Sequence, residues 1–398
     1  MATFLDVELG HLGVHAIQFD DLVLVETACR QQGFFGMQLA HNILDRCLAE
    51  KRYLDTNNNN NNNTNDSDNN QTMVHVPLDL FKTILYGWSS IATRGKIAVM
   101  RMREIMDRVL EVAQHDHKRL MKPREAKNIS DDANDTATTA PLVPNTDLYN
   151  TYLMGLRNAS RVSRPAAASV IAVLDEMTSL RKKYGWHIKP NTKTYTLVIS
   201  ALANSGLNDA GDRAERVLRR MIQVHGTEKE RYLQQYGVPY DTADPANNRR
   251  RIPTPDLVVY TSVIRAYSQG HSERVANKAK DLLIEYMSLF SNGTTTQAPD
   301  AFLFTSVISA YAAVAENRRI SNEARLVAAK EAQEVLEMML EDFRTAGGVL
   351  STVEPYNGML ISWCYYCITF VAHIIPTPFS PLQPVSMPMP SALLHRPL

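Results

Sequence analysis

Apolar side chains recur along this chain in one eight-residue pattern. It reads FKTILYGW (Phe81 to Trp88), YNTYLMGL (Tyr149 to Leu156), YTLVISAL (Tyr195 to Leu202), YTSVIRAY (Tyr260 to Tyr267), FTSVISAY (Phe304 to Tyr311) and YNGMLISW (Tyr356 to Trp363). Its apolar positions 1, 4, 5 and 8 share one face when the segment is helical. Position 7 is small, which lets a second helix approach closely. The pattern therefore predicts a buried packing helix.

A second octet follows most copies: AHNILDRC (Ala40 to Cys47), MREIMDRV (Met102 to Val109), VIAVLDEM (Val170 to Met177), AERVLRRM (Ala214 to Met221), AKDLLIEY (Ala279 to Tyr286) and AQEVLEMM (Ala332 to Met339). Apolar residues again hold positions 1, 4, 5 and 8, with charged residues between them. Each pair predicts an amphipathic helical hairpin. A lone hairpin cannot bury its apolar face, so a tandem series predicts an all-α fold, an α-solenoid of antiparallel helical hairpins.

Polar stretches interrupt the series and predict surface loops: residues 55 to 71 with seven consecutive Asn (Asn57 to Asn63), 128 to 145, 226 to 253 with Arg249-Arg250-Arg251, and 291 to 299. Such compositions cannot build a core. The expected organisation is a degenerate N-terminal hairpin over 1–54, an Asn-rich loop over 55–76, helical repeats with long insertions over 77–363, and a Pro-rich, poorly structured tail over 364–398.

The junctions ahead of the first octets repeat as well. Pro144-Asn145, Pro190-Asn191, Pro255-Asp256 and Pro299-Asp300 precede Tyr149, Tyr195, Tyr260 and Phe304. Proline stops the preceding helix, and the Asn or Asp oxygen can cap the next one.

The stretches IKPNTKTYTLVISAL (Ile188 to Leu202), TPDLVVYTSVIRAY (Thr254 to Tyr267) and APDAFLFTSVISAY (Ala298 to Tyr311) resemble the pentatricopeptide repeat family over roughly residues 78 to 363. The chain departs from the family in spacing: successive first-octet aromatics lie 46 (149 to 195), 65 (195 to 260), 44 (260 to 304) and 52 (304 to 356) residues apart, longer than the family unit. Insertions therefore sit inside the repeats. The resemblance implies a right-handed superhelix that binds single-stranded RNA about one base per repeat, in a mitochondrion or plastid, supporting RNA processing, stability or translation.

Carried over residue by residue, the family's base readers are the polar residue after the first-octet aromatic and the Asn or Asp at the next junction. Asn150 then pairs with Asn191, Thr196 with Asp256, and Thr261 with Asp300, while Thr305 would have to pair with Thr352. Asn/Asn resembles a cytosine reader and the two Thr/Asp pairs resemble guanine readers. Residues two places before each aromatic would flank the bases: Asp147, Lys193, Val258 and Phe302. Of these, only Val258 and Phe302 suit stacking or apolar contact. Arg161, Arg164, Lys182, Lys183 and Arg249 to Arg251 are candidate phosphate contacts.

Charge sharpens this picture. The chain has 42 Lys+Arg against 42 Asp+Glu, so RNA affinity must come from a local groove and base contacts. The first 29 residues hold five acids and no Lys or Arg. That composition is unlike a transit or signal peptide, so the protein stays where it is made or this chain lacks its true beginning. From Pro355 onward Arg396 is the single charged side chain among 44 residues, and Met359 to Ile375 is at the lower limit for spanning a bilayer. Its first part repeats the packing octet, which argues against membrane insertion.

No phosphate loop, Ser/His/Asp set or dinucleotide fingerprint occurs, so no enzyme, small-molecule substrate or cofactor is expected. Cys364 and Cys367 have metal-ligand spacing, but the other two cysteines lie some 300 residues away, and a structural zinc site needs four ligands. His115 and His117 read as a solvated helix end. The competing function class is a protein-binding scaffold, with partners on a concave face.

Overall fold

A computed structural model describes residues 33–60, 77–121, 142–240, 252–317 and 319–345. The described residues form eleven α-helices, one short 3-10 turn at Ala92–Arg94, and no strands. The helices are α1 (Gly33–Asn60), α2 (Leu78–Ser90), α3 (Lys96–Met121), α4 (Thr146–Ala159), α5 (Arg164–Tyr184), α6 (Thr192–Ala203), α7 (Ala210–Tyr236), α8 (Leu257–Tyr267), α9 (Glu273–Ser291), α10 (Ala301–Ala315) and α11 (Asn322–Thr345). The sixth first octet, the Cys364/Cys367 pair and the Pro-rich tail lie outside the described residues.

The two octets form the helices they predict, and their apolar positions form the core. Positions 1, 4, 5 and 8 of α2, α4, α6, α8 and α10 are buried, from Phe81 to Tyr311. The corresponding residues of α3, α5, α7, α9 and α11 are buried too, from Met102 to Met339. Full burial of such a side chain contributes about 1.5–3 kcal/mol. One continuous apolar cluster runs from Met37 to Met339.

Packing follows chain order. Each first helix lies against its own second helix, and the first helices also lie side by side: α2 on α4, α4 on α6, α6 on α8, α8 on α10. The small seventh position is needed where helices meet. A Cβ on Gly155 of α4 would fall 2.3 Å from Met102 Sδ of α3 and 3.0 Å from Ser89 Cβ at the end of α2.

Charged side chains bridge one second helix to the next. Arg103 of α3 pairs with Glu176 of α5 at 2.9 Å, and Arg220 of α7 with Asp175 of α5 at 2.5 Å. Arg219 of α7 reaches Glu285 of α9 at 2.7 Å, and Lys278 of α9 reaches Asp212 of α7 at 2.5 Å. Lys280 of α9 pairs with Glu331 and Glu334 of α11 at 2.7 and 2.9 Å. These pairs are partly exposed, so each stabilises by about 0–1 kcal/mol. Buried tyrosines join them: Tyr149 donates to Glu176 at 2.9 Å and Tyr260 to Glu285 at 2.8 Å.

Three sequence expectations need correction. The predicted loop over 226 to 253 begins as helix: α7 runs on through TEKERYLQQY to Tyr236, and the left-handed Gly237 (φ +69) closes it. Glu, Lys, Arg, Leu and Gln are good helix formers, and a helix already nucleated extends cheaply. The Asn-rich loop was expected from residue 55, but α1 continues to Asn60. The helix end at His115 and His117 is only partly solvated. Asp116 between them is buried and accepts the Leu142 N–H at 3.2 Å, and His117 packs edge-on against Tyr184 at 5.1 Å.

Candidate nucleic-acid interface

Four Pro-Asn/Asp junctions start four first helices. Asn145, Asn191, Asp256 and Asp300 are N-caps whose side-chain oxygens accept the N–H of Leu148, Thr194, Val259 and Leu303 at 2.9, 3.0, 2.9 and 2.8 Å. Each such cap stabilises its helix by about 1 kcal/mol. Hydrogen bonds tie the junctions to the preceding repeat. Thr146 at the start of α4 donates to the Lys189 carbonyl at 3.0 Å, and Thr192 at the start of α6 accepts the Thr254 N–H at 3.0 Å. Gln297 accepts the Leu257 N–H at the start of α8 at 3.3 Å. The end of one repeat is thus held beside the start of the first helix before it.

This arrangement brings Asn191 to Asn150, whose amide donates to Asn191 Oδ1 at 3.5 Å. Asn150 is only 2% exposed, and its own Oδ1 accepts from the buried Thr194 hydroxyl at 2.7 Å. Its amide is therefore engaged in the joint between α4 and α6. Thr196 and Thr261 are half-buried one turn into their helices, where their hydroxyls donate to the Thr192 and Leu257 carbonyls at 2.9 and 2.7 Å. With the proton committed inward, each hydroxyl oxygen offers lone pairs outward. Thr305 is 7% exposed, and its hydroxyl points to the Phe302 carbonyl at 3.3 Å. Its expected partner Thr352 lies outside the described residues.

Asp256 and Asp300 are half-buried and accept backbone N–H groups. Burial pushes both carboxyls above the usual aspartate range, while the backbone hydrogen bonds oppose that rise. Val258 and Phe302, on the packed pair α8 and α10, are each 55% exposed although the aromatics two residues on are fully buried. Asp147 and Lys193 at the equivalent places are exposed as well. One edge of the first-helix layer therefore presents an acid, a base and two apolar side chains in sequence, beside acceptor groups from Thr196, Asp256, Thr261 and Asp300.

Of the proposed phosphate contacts, Arg161 is exposed just after α4, and Arg164, Lys182 and Lys183 are exposed on the second helix α5; Arg249 to Arg251 lie outside the described residues. Sequence reasoning missed Thr194, which holds Asn150. The signal was present, because Thr194 stands at the third helical position after Asn191, where a side chain can complete a capping box. It also missed Ser200 and Ser262, whose hydroxyls meet at 3.5 Å between α6 and α8. Among the described residues no cluster of His, Cys, Asp or Glu could hold a metal ion, and no helix is long and apolar enough to cross a membrane. No protein-family model matches the chain, and no curated protein sequence matches it.

Proposed function

We propose that this chain is a pentatricopeptide-like helical-repeat protein that binds single-stranded RNA without catalysing a reaction. Its hairpins stack as a right-handed α-solenoid, the first helices forming the RNA-facing layer, and it acts on RNA processing, stability or translation in a mitochondrion or plastid. The observation that carries the reading is the row of junctions and first helices. Two apolar side chains, Val258 and Phe302, stand exposed on adjacent helices. They flank acceptor groups whose protons are already committed.

The chemistry favours a base with donors on its pairing edge. Thr196 with Asp256, and Thr261 with Asp300, offer hydroxyl and carboxylate oxygens, and guanine presents two adjacent N–H donors to match. Asn150 is withdrawn from this role by Thr194. Two adjacent guanines, rather than three read bases, are the expected core of the recognised sequence.

The test is a mobility-shift assay with a random single-stranded RNA pool at low and moderate salt. Binding at low salt that weakens at least tenfold in Val258→Asp/Phe302→Asp supports the reading, since base stacking contributes about 1–3 kcal/mol per base. Absence of any shift by the native chain sinks it.

A further inference from the structure

The turn between α10 and α11 carries chemistry that base reading does not use. It reads ENRRIS, Glu316 to Ser321, and sets Arg318 and Arg319 three and two residues ahead of a serine. Arg319 and Ser321 are exposed, while Ile320 between them is half-buried against the core. Arg318 lies outside the described residues and enters by sequence alone. The turn is pinned at its start: Asn317 donates to the His271 carbonyl at 3.1 Å and accepts the Arg319 N–H at 3.0 Å.

Ser321 immediately precedes α11, and its hydroxyl oxygen accepts the Ala324 N–H at 3.2 Å. Arg325 follows one turn later on the same helical face. Its partners among the described residues are neutral oxygens, the Ala315 carbonyl at 2.6 Å and Asn322 Oδ1 at 3.2 Å. Glu323, the acid of the first turn, stands two residues from Ser321 and so does not face it. Ser160 and Ser268 also follow an arginine by three residues, but each donates back to that arginine's carbonyl, at 2.7 and 2.9 Å, and neither is exposed. Ser321 therefore differs from them in two ways: a second arginine precedes it, and its hydroxyl faces solvent.

We propose that Ser321 is a phosphorylation site for an ATP-dependent serine kinase that reads Arg318 and Arg319, and that the phosphate then binds Arg325 across the start of α11. Guanidinium groups in an exposed turn suit a kinase cleft lined with carboxylates. In the transfer, Ser321 Oγ forms a bond to the γ-phosphorus of ATP as the bond from that phosphorus to the β,γ-bridging oxygen breaks. ADP leaves with the electron pair of the broken bond, and the hydroxyl proton passes to the base of the kinase. The product carries a charge of about −1.5 to −2 at a helix N-terminus, where the helix dipole and the Arg325 guanidinium both favour it. It fastens the α10–α11 turn to the first turn of α11. The site is independent of what the first-helix layer binds.

The experiment incubates the full chain with labelled ATP and a purified arginine-directed serine kinase, and maps the label by mass spectrometry of its peptides. Ser321 should be labelled in the folded chain, with Ser160 and Ser268 left bare. Arg318→Gln/Arg319→Gln should slow labelling by about tenfold or more, since two charge-assisted contacts are lost. Ser321→Ala should abolish label at this site, and so should Ser321→Asn, which keeps a capping oxygen and so separates loss of the acceptor from loss of the cap. Phosphorylation should slow hydrogen exchange in the first turn of α11 by about threefold or more. Arg325→Gln should remove most of that protection while Ser321 is still labelled. If Ser321 stays bare in the native chain, or takes label only after unfolding, or is labelled equally fast without Arg318 and Arg319, the kinase site is overturned. Label at Ser321 with exchange over α11 unchanged, or slowed equally in Arg325→Gln, overturns the phosphate–Arg325 contact.

Discussion

Gly211→Ala and Gly226→Ala place the same methyl group in the same helix, α7, with opposite consequences. An alanine Cβ at 211 would meet the Tyr267 ring at 2.1, 2.5 and 2.6 Å, whereas at 226 nothing lies within 4 Å. The Tyr267 ring cannot simply swing aside. Its hydroxyl donates to Glu215 at 2.6 Å and contacts Asp212 at 3.1 Å, and Lys278 completes the cluster at 3.3 Å. Overpacking of this kind costs about 1–3 kcal/mol, and disturbing a hydrogen bond to a charged group adds about 1.5–3. Replacing glycine in a helix interior returns about 1 kcal/mol. Gly211→Ala should therefore destabilise by about 1.5–5 kcal/mol and Gly226→Ala should stabilise by up to about 1. Urea unfolding followed by circular dichroism measures both, with Tyr267→Leu as a second background in which the cost at 211 shrinks. If Gly211→Ala is as stable as the native chain, or if the two substitutions shift the midpoint in the same direction, the close α7–α8 contact is wrong.

Further outcomes follow from the same contacts. Tyr260→Phe removes the hydrogen bond to Glu285 and should cost about 1.5–3 kcal/mol in denaturant unfolding, while Tyr195→Phe, whose hydroxyl bonds no group among the described residues, should cost under about 0.5. Asp256→Asn with Asp300→Asn keeps the caps and removes two half-buried charges. Because burial raises these carboxyls, their contribution to stability is full below the unfolded aspartate pKa and falls as pH rises through the higher folded values. The double variant should thus be at least as stable at neutral pH, yet lose preference for guanine in filter binding. The native chain should lose guanine affinity as acid protonates both groups. Finally, His41 of α1 is fully buried against Trp88 of α2 and beside Glu104 of α3, and desolvation holds its pKa down from 6.5 to about 4. Its neutral form is favoured by the fold, so stability is full above about 6.5 and is lost toward pH 4. Hydrogen exchange over α1 should quicken across that window, and His41→Leu should flatten the response.

Much of the fold was legible because both octets encode burial directly. Positions 1, 4, 5 and 8 are apolar for the reason they are buried, and the small seventh residue marks close approach. The caps were legible from the Pro-Asn/Asp junctions. The extension of α7 was not, because charged and polar helix formers resemble a loop by composition while still propagating a helix beyond the core. The state of Asn150 was hidden for a different reason. Its neighbour Thr194 is 44 residues away in sequence, and whether an amide faces solvent or a hydroxyl depends on how two hairpins meet. The zero net charge also acquires a location. Much of it sits in ion pairs between second helices.

Selection of bound sequences from a randomised single-stranded RNA pool tests the central claim most directly. The native chain should enrich two adjacent guanines with no fixed base at the position that Asn150 would read. Thr196→Val and Thr261→Val should each relax the preference at one of the two positions. Recovery of an unenriched pool, or an enriched sequence unchanged by both substitutions, would contradict base reading by these helices.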